Sequence, residues 1–284
     1  DAKAVIDSLV ALLGVRGVYW NRCYDPKSIA RDTQIKSALR SRGIEVSTFN
    51  GSLLWEPWEI AKQDGSPYKV FTPYYRNGCL AGPLVRSPLA SPSRNTLKNQ
   101  LMGIGEIQTE HLPESRVTLD DLSLLPTINW DKQMRGYWKI GERAAKQRID
   151  EFFGSAIDRY REGRDYPAAE SVSRLSPHLH WGEVSPHQLW HIASRRESND
   201  NIQCFLTELA WREFSYYLLY HFPTLPRENW NKRFDIFPWW RENKNLAQPI
   251  GDKHSVEQSE NLRRWQSGLT GTVSYTHLRA HETR

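Results

Sequence analysis

Sulfur is scarce in this chain of 284 residues, and what there is forms no pattern: Cys23, Cys79 and Cys204 are odd in number and stand far apart. They lack metal-ligand and Cys-x-x-Cys spacing, which argues against a zinc module or a disulfide scaffold and for the reduced thiols of a cytoplasmic protein. Long apolar runs are missing too. Hydrophobic residues make up 39% and mean hydropathy is −0.66, with no stretch near the roughly 20 residues that span a bilayer, so the expectation is a globular protein off the membrane. No Gly-x-Gly-x-x-Gly follows a strand-like run; Gly103-Ile104-Gly105 stands alone, and nothing argues for a Rossmann fingerprint. Excess charge is modest. A net +5 with pI near 9.0 suits a polyanionic partner without demanding one.

Aromatic rings are what the chain has in plenty. Its 12 tryptophans serve core packing in the ordinary case, and base stacking or electron transfer in the special one. Around them the chain changes texture. Residues 3–13 have the spacing of an amphipathic helix, 15–20 read as a buried strand, Asp25-Pro26 starts a helix through Arg42, and 44–49 form a second strand after Gly43. That alternation is βαβ logic and implies a parallel sheet. From about Ser87 to Tyr137 the pattern dissolves into Pro, Ser and isolated apolar residues. Helical periodicity resumes at Ile140: a helix over 142–160, a pair after 176 and 185, and another over 201–220 stopped by Pro223.

The segment SVSRLSPHLHWGEVSPHQLW (171–190) holds two helix starts of one design. Ser176-Pro177 reads as an N-cap with proline at the first helical position, and Ser185-Pro186 with Gln188 repeats it as a capping box. A helix start presents unpaired N–H groups and the positive end of the dipole, and here the hydroxyls of Ser173 and Ser176 and the guanidinium of Arg174 join them, a set that suits a phosphate. Plain capping, with Arg174 in water, is the other reading. Further on, Ile202, Phe205, Leu206, Leu209 and Tyr217 follow a buried stripe, while Glu208, Trp211, Arg212 and Ser215 share a neighbouring face. By itself that face also reads as a core tryptophan flanked by a helical ion pair worth about 0.3–0.5 kcal/mol.

SVSRLSPHLHWGEVSP, LTELAWREF (206–214), YREGRDYPA (160–168), PYKVFTPYYR (67–76) and WQSGLTG (265–271) together resemble the DNA photolyase and cryptochrome family, most nearly the microbial photolyases of cyclobutane pyrimidine dimers. The resemblance covers nearly all of residues 14–271 and implies light-driven repair by electron transfer from reduced FAD. Residue by residue it implies that Tyr160, Val172, Ser173, Arg174, Leu175, Ser176, Phe205 and Glu208 hold FAD, and that Arg164, Glu208, Trp211 and Arg212 meet damaged DNA. Glu208 is implied to hydrogen-bond the extruded dimer, Trp211 to stack on it, and Trp239 to end a tryptophan electron-transfer chain. Valine at 172 replaces a threonine hydroxyl of some members, and Phe205 stands where many have tryptophan. A second antenna chromophore (folate, deazaflavin or flavin) is a family property that no residue here assigns.

The expected fold class is α/β plus all-α. A partial doubly wound parallel α/β domain spans 1–86, an interdomain linker 87–139, and a partial helical FAD- and DNA-binding domain 140–272. The family's first strands and its last helices are expected to be missing, and 273–284 reads as foreign coding. A monomeric photolyase of the bacterial cytosol is the favoured parent. A cryptochrome-like blue-light receptor is the runner-up, and a flavin-free DNA-binding helical fragment is the third reading.

Overall fold

Asp25 and Pro26 set the first sharply defined element. The Asp25 carboxylate accepts from the Ser28 N–H at 2.9 Å and proline occupies the first turn, so the helix that follows begins where its orphan donors are met. In this computed structural model, which describes residues 2–91, 117–118, 120–237, 260–267, 269 and 271, that helix is α2 (Pro26–Ser41). Before it come α1 (Ala2–Leu13) and β1 (Gly17–Asn21), and after it β2 (Glu45–Phe49). The strands pair in parallel with Val18 opposite Val46, as the βαβ alternation implies. Val10, Ile35, Leu39 and Val46 close a small core beneath them.

The chain divides into two compact units, residues 1–124 with 135–228 and residues 125–134 with 229–284. In the second, the Asn231 side chain starts a 3-10 turn (Lys232–Ile236) by accepting from the Arg233 N–H at 3.1 Å. A short helix (Lys132–Tyr137) lies inside the stretch expected as linker.

The first unit holds the helical layer. The helix α3 (Glu142–Gly154) ends six residues before the expected Tyr160, because glycine is a poor helix former and Ser155 turns the backbone to φ −154°. A 3-10 turn (Ala156–Arg159) and a helical turn (Tyr160–Gly163) follow. Then come α4 (Ser176–Trp181), closed by Gly182 in the left-handed region at φ 73°, and α5 (Pro186–Ser194), with its capping box intact. Last is α6 (Asp200–His221), whose cap Asn199 accepts from the N–H groups of Asn201 and Ile202. Ser176 departs from expectation: it is the first residue of α4, Leu175 stands at the cap, and no side chain caps that end.

Phe152, Ile157, Leu175, Leu189 and Phe205 are among the buried residues of the helical core. Burying each such side chain contributes about 1.5–3 kcal/mol. The opposite side of α6 carries the 50–79 segment. Its end is a one-turn helix (Phe71–Pro73) running into a π-helix (Tyr74–Cys79), in which the Leu80 N–H reaches the Tyr75 carbonyl at 2.9 Å. Gly78 is required there, since a Cβ would lie 2.6 Å from Ile60.

Candidate functional site

The second half of α6 is strapped to the 50–68 segment by groups spaced along the helix. Arg212 donates to the Ser52 carbonyl at 2.7 Å, and the Glu213 carboxylate accepts from the Leu54 N–H at 2.7 Å. Tyr217 donates to Ile60 and accepts from the Tyr68 N–H, both at 2.9 Å, and His221 meets the Pro57 carbonyl. Glu213 is buried, and burial pushes its carboxyl up to about 8 although Arg212 and the backbone N–H donors of Leu54 and Trp55 oppose the shift.

With that side fixed, α6 presents Glu208 and Trp211 one turn apart. Glu208 pairs with Arg164, both side chains about a third exposed. The carboxylate holds the Arg164 guanidinium charged, and the guanidinium also lies over the Tyr160 ring (5.7 Å) and beside the Cys204 sulfur (3.4 Å). Tyr160 is there because the chain breaks at Gly154: its ring meets Phe152 and Phe205 edge-on at 5.6 Å, and burial raises its hydroxyl to about 12. Trp211 is 44% exposed. One face of its indole lies on Phe71, ring centroids 3.6 Å apart and planes 11° from parallel. Arg212 is occupied elsewhere, with Ser52, with Glu213 at 3.1 Å and over the Tyr216 ring at 5.0 Å.

The 171–176 loop packs against the same core through buried Leu175. It approaches the Tyr160 turn so closely that a Cβ on Gly163 would lie 2.3 Å from Ser171. Arg148 of α3, which sequence reasoning passes over, donates to the carbonyls of Ser173 (2.9 Å) and Val172 (3.0 Å) and so fixes the loop from behind. Arg174 takes φ 52°, a left-handed conformation uncommon for a non-glycine residue, and is exposed. It borders a cavity of about 140 Å³ with Arg148, Lys139, Trp138 and His178. A second hollow, about 340 Å³, is walled by Trp20, Tyr24, Trp58 and Tyr220, with Arg22 and Lys36 at its edge.

Two family models match the chain: DNA photolyase over residues 1–93, and the FAD binding domain of DNA photolyase over 205–273. The deoxyribodipyrimidine photo-lyase of Agrobacterium fabrum is 36% identical over 275 residues, 95% of this chain and 51% of that protein. The chain belongs to the DNA photolyase and cryptochrome family. Cryptochrome-1 of Arabidopsis thaliana is more distant, 28% identical over 84% of this chain and 35% of its own. The crystal structure of a bacterial class III photolyase from Agrobacterium tumefaciens matches with a TM-score of 0.72 and 33% identity, covering 95% of this chain and 51% of that one. The chain thus spans about half the length of these photolyases.

FAD is the cofactor of the matched domain. The donor set fits it: the Ser176 hydroxyl is not spent as a cap, Ser173 is half-buried, and Arg174 adds an exposed cation on a loop whose backbone Arg148 holds still. The structure gathers Tyr160, Phe205 and Leu175 in one core and places Arg164 with Glu208. It does not gather Arg212 with Arg164. Trp239 and residues 273–284 lie outside the described residues. Among the described residues no helix is long and apolar enough to cross a membrane, and no cluster suits a metal ion.

Proposed function

We propose that the protein to which this chain belongs repairs cyclobutane pyrimidine dimers in DNA in a light-driven reaction. The observation that carries the proposal is the pair Glu208 and Trp211 on one accessible face of α6, an indole with one ring face covered and an acid oriented by a cation. A damaged base pair costs little to extrude, and an aromatic platform returns about 1–3 kcal/mol by stacking. In this reading Trp211 receives the extruded dimer and Glu208 hydrogen-bonds it, while Arg164, already oriented by Glu208, offers positive charge to a backbone phosphate. Arg212 contributes local potential while it ties the helix to Ser52.

Tyr160, Val172, Ser173, Arg174, Leu175, Ser176 and Phe205, with Glu208, form the wall against FAD. Val172 offers only its backbone, and its carbonyl is taken by Arg148. Reduced FAD, when bound, supplies the electron that opens the cyclobutane ring. The chain's own residues orient lesion and cofactor and exclude water between them. Trp239 is the proposed outer end of an electron-transfer path. The aromatic hollow at Trp20, Tyr24, Trp58 and Tyr220 is of a size that supports an antenna chromophore there. Free cysteines support the cytoplasm as the site of action, and we take the protein to act as a monomer.

The test is illumination of a thymine-dimer oligonucleotide with the flavin-loaded protein. Loss of dimers in light and none in darkness is expected. A yellow protein that binds the oligonucleotide yet leaves every dimer intact in light overturns repair in favour of the sensory reading that cryptochrome relatives represent.

A further inference from the structure

The motif VFTPYY (70–75) supplies the surface on which Trp211 rests. Phe71 covers one face of the indole and is itself backed by Tyr75, with centroids 5.6 Å apart and planes 12° from parallel. Phe214 closes the edge of both rings, 5.8 Å from Phe71 at 68° and 6.0 Å from Trp211 at 73°. Three near-parallel rings therefore run from the core to the surface. Phe71 and Tyr75 are buried, and only Trp211, at the end, is open.

The π-helix makes this possible. Tyr74 and Tyr75 are adjacent in sequence, yet both are buried: Tyr74 against Phe214 and Tyr217, and Tyr75 against Phe71. The strap from Ser52 to Tyr68 holds the whole segment to α6.

We infer that Phe71 is a positioning residue for lesion recognition, fixing the Trp211 indole so that its free face is presented to an extruded base before DNA arrives. The inference rests on the proposed role of Trp211 and deepens it. A tryptophan hinged at two torsions loses rotamer freedom when a base stacks on it; one already clamped between Phe71 and Phe214 has lost that freedom in folding. Preference for damaged DNA thus depends on a residue that touches no DNA.

The experiment compares affinities of the flavin-loaded protein for a thymine-dimer oligonucleotide and its undamaged counterpart, in wild type, Phe71→Leu, Phe71→Tyr and Trp211→Ala. Phe71→Leu is expected to lower the damaged-to-undamaged ratio roughly 3- to 10-fold, with undamaged binding unchanged. Phe71→Tyr, which keeps the ring, restores the ratio. Tryptophan fluorescence supplies a spectroscopic check: among the 12 tryptophans, the part of the emission that Trp211→Ala removes shifts to the red in Phe71→Leu and not in Phe71→Tyr. Should the leucine variant not fold, Phe71→Met makes the same comparison with the ring replaced by an unbranched chain that adapts to the gap. A full ratio in the ring-less variant while Trp211→Ala loses it overturns the inference and spares the platform. A full ratio in Trp211→Ala as well overturns the platform itself, and the inference with it.

Discussion

Arg148 shows how one side chain decides the geometry of a loop it does not belong to. Its guanidinium donates to two successive carbonyls, and charge-assisted bonds of this kind contribute about 1.5–3 kcal/mol each, toward the lower figure for a side chain 24% exposed. Arg148→Ala should therefore weaken FAD binding by roughly tenfold, read by flavin titration, although Arg148 is not among the residues proposed to hold the cofactor. Arg148→Lys should recover only part of the loss, since a point charge cannot bridge two acceptors as a fork does. On the loop itself, Arg174→Ala with Ser176→Ala removes a cation and an uncommitted hydroxyl. FAD content per protein, from the absorption spectrum, should drop strongly, and normal content in the double variant removes the 171–176 loop from the flavin site. In the sequence Arg174 stands out as a cation just ahead of a helix, and Ser176 as a serine at its start, although not as the cap that its spacing implied. Arg148 is not, because its partners are backbone carbonyls 24 and 25 positions away.

The helix α6 carries the proposed site, and its ends are set by local chemistry. Asn199 satisfies two of the first N–H groups, so Asn199→Ala should cost about 1 kcal/mol, seen as a fall of about 2–4 °C in Tm. Glu213 gives a sharper prediction. Its carboxyl ionises near 4.5 in the unfolded chain and near 8 in the fold, so between these values the folded state binds more protons, and stability falls as pH rises through the window. Wild-type Tm should decline from pH 5 to pH 8, and Glu213→Gln should flatten the decline; equal slopes in the two proteins would show that the carboxyl does not titrate in this range. The helix was readable to within one residue at each end from the stripe Ile202, Phe205, Leu206, Leu209 and Tyr217. Glu213 sits on the same stripe, four residues from both Leu209 and Tyr217, and a carboxylate at a buried position was a signal that the neighbouring Arg212 masked. The over-long helix to Tyr160 has a plain cause too: the apolar period runs on past Gly154, and period outweighed propensity.

Across the whole molecule, the parts that sequence could not join are those brought together over long separations. Phe71 and Trp211 are 140 positions apart, and no local pattern announces a stack between them; the motif around Phe71 marks the family and is silent on what its ring touches. In the proposed reading, the net charge of +5 adds a sequence-independent attraction to DNA that weakens with salt, and Arg164 takes part in it. Two kinds of contact are thus separable: a phosphate contact that positions and a stacking contact that discriminates. Trp211 on α6 is the proposed lesion platform. Binding of the flavin-loaded protein to dimer-containing and undamaged DNA, measured at several salt concentrations in Trp211→Ala and Arg164→Ala, decides whether it is. Trp211→Ala should lose affinity for damaged DNA alone, by roughly 5- to 150-fold for the loss of a stacked base, with its salt dependence kept. Arg164→Ala should weaken both ligands and flatten the salt dependence. Equal losses on both DNAs in Trp211→Ala would rule out a lesion platform there and return that tryptophan to core packing.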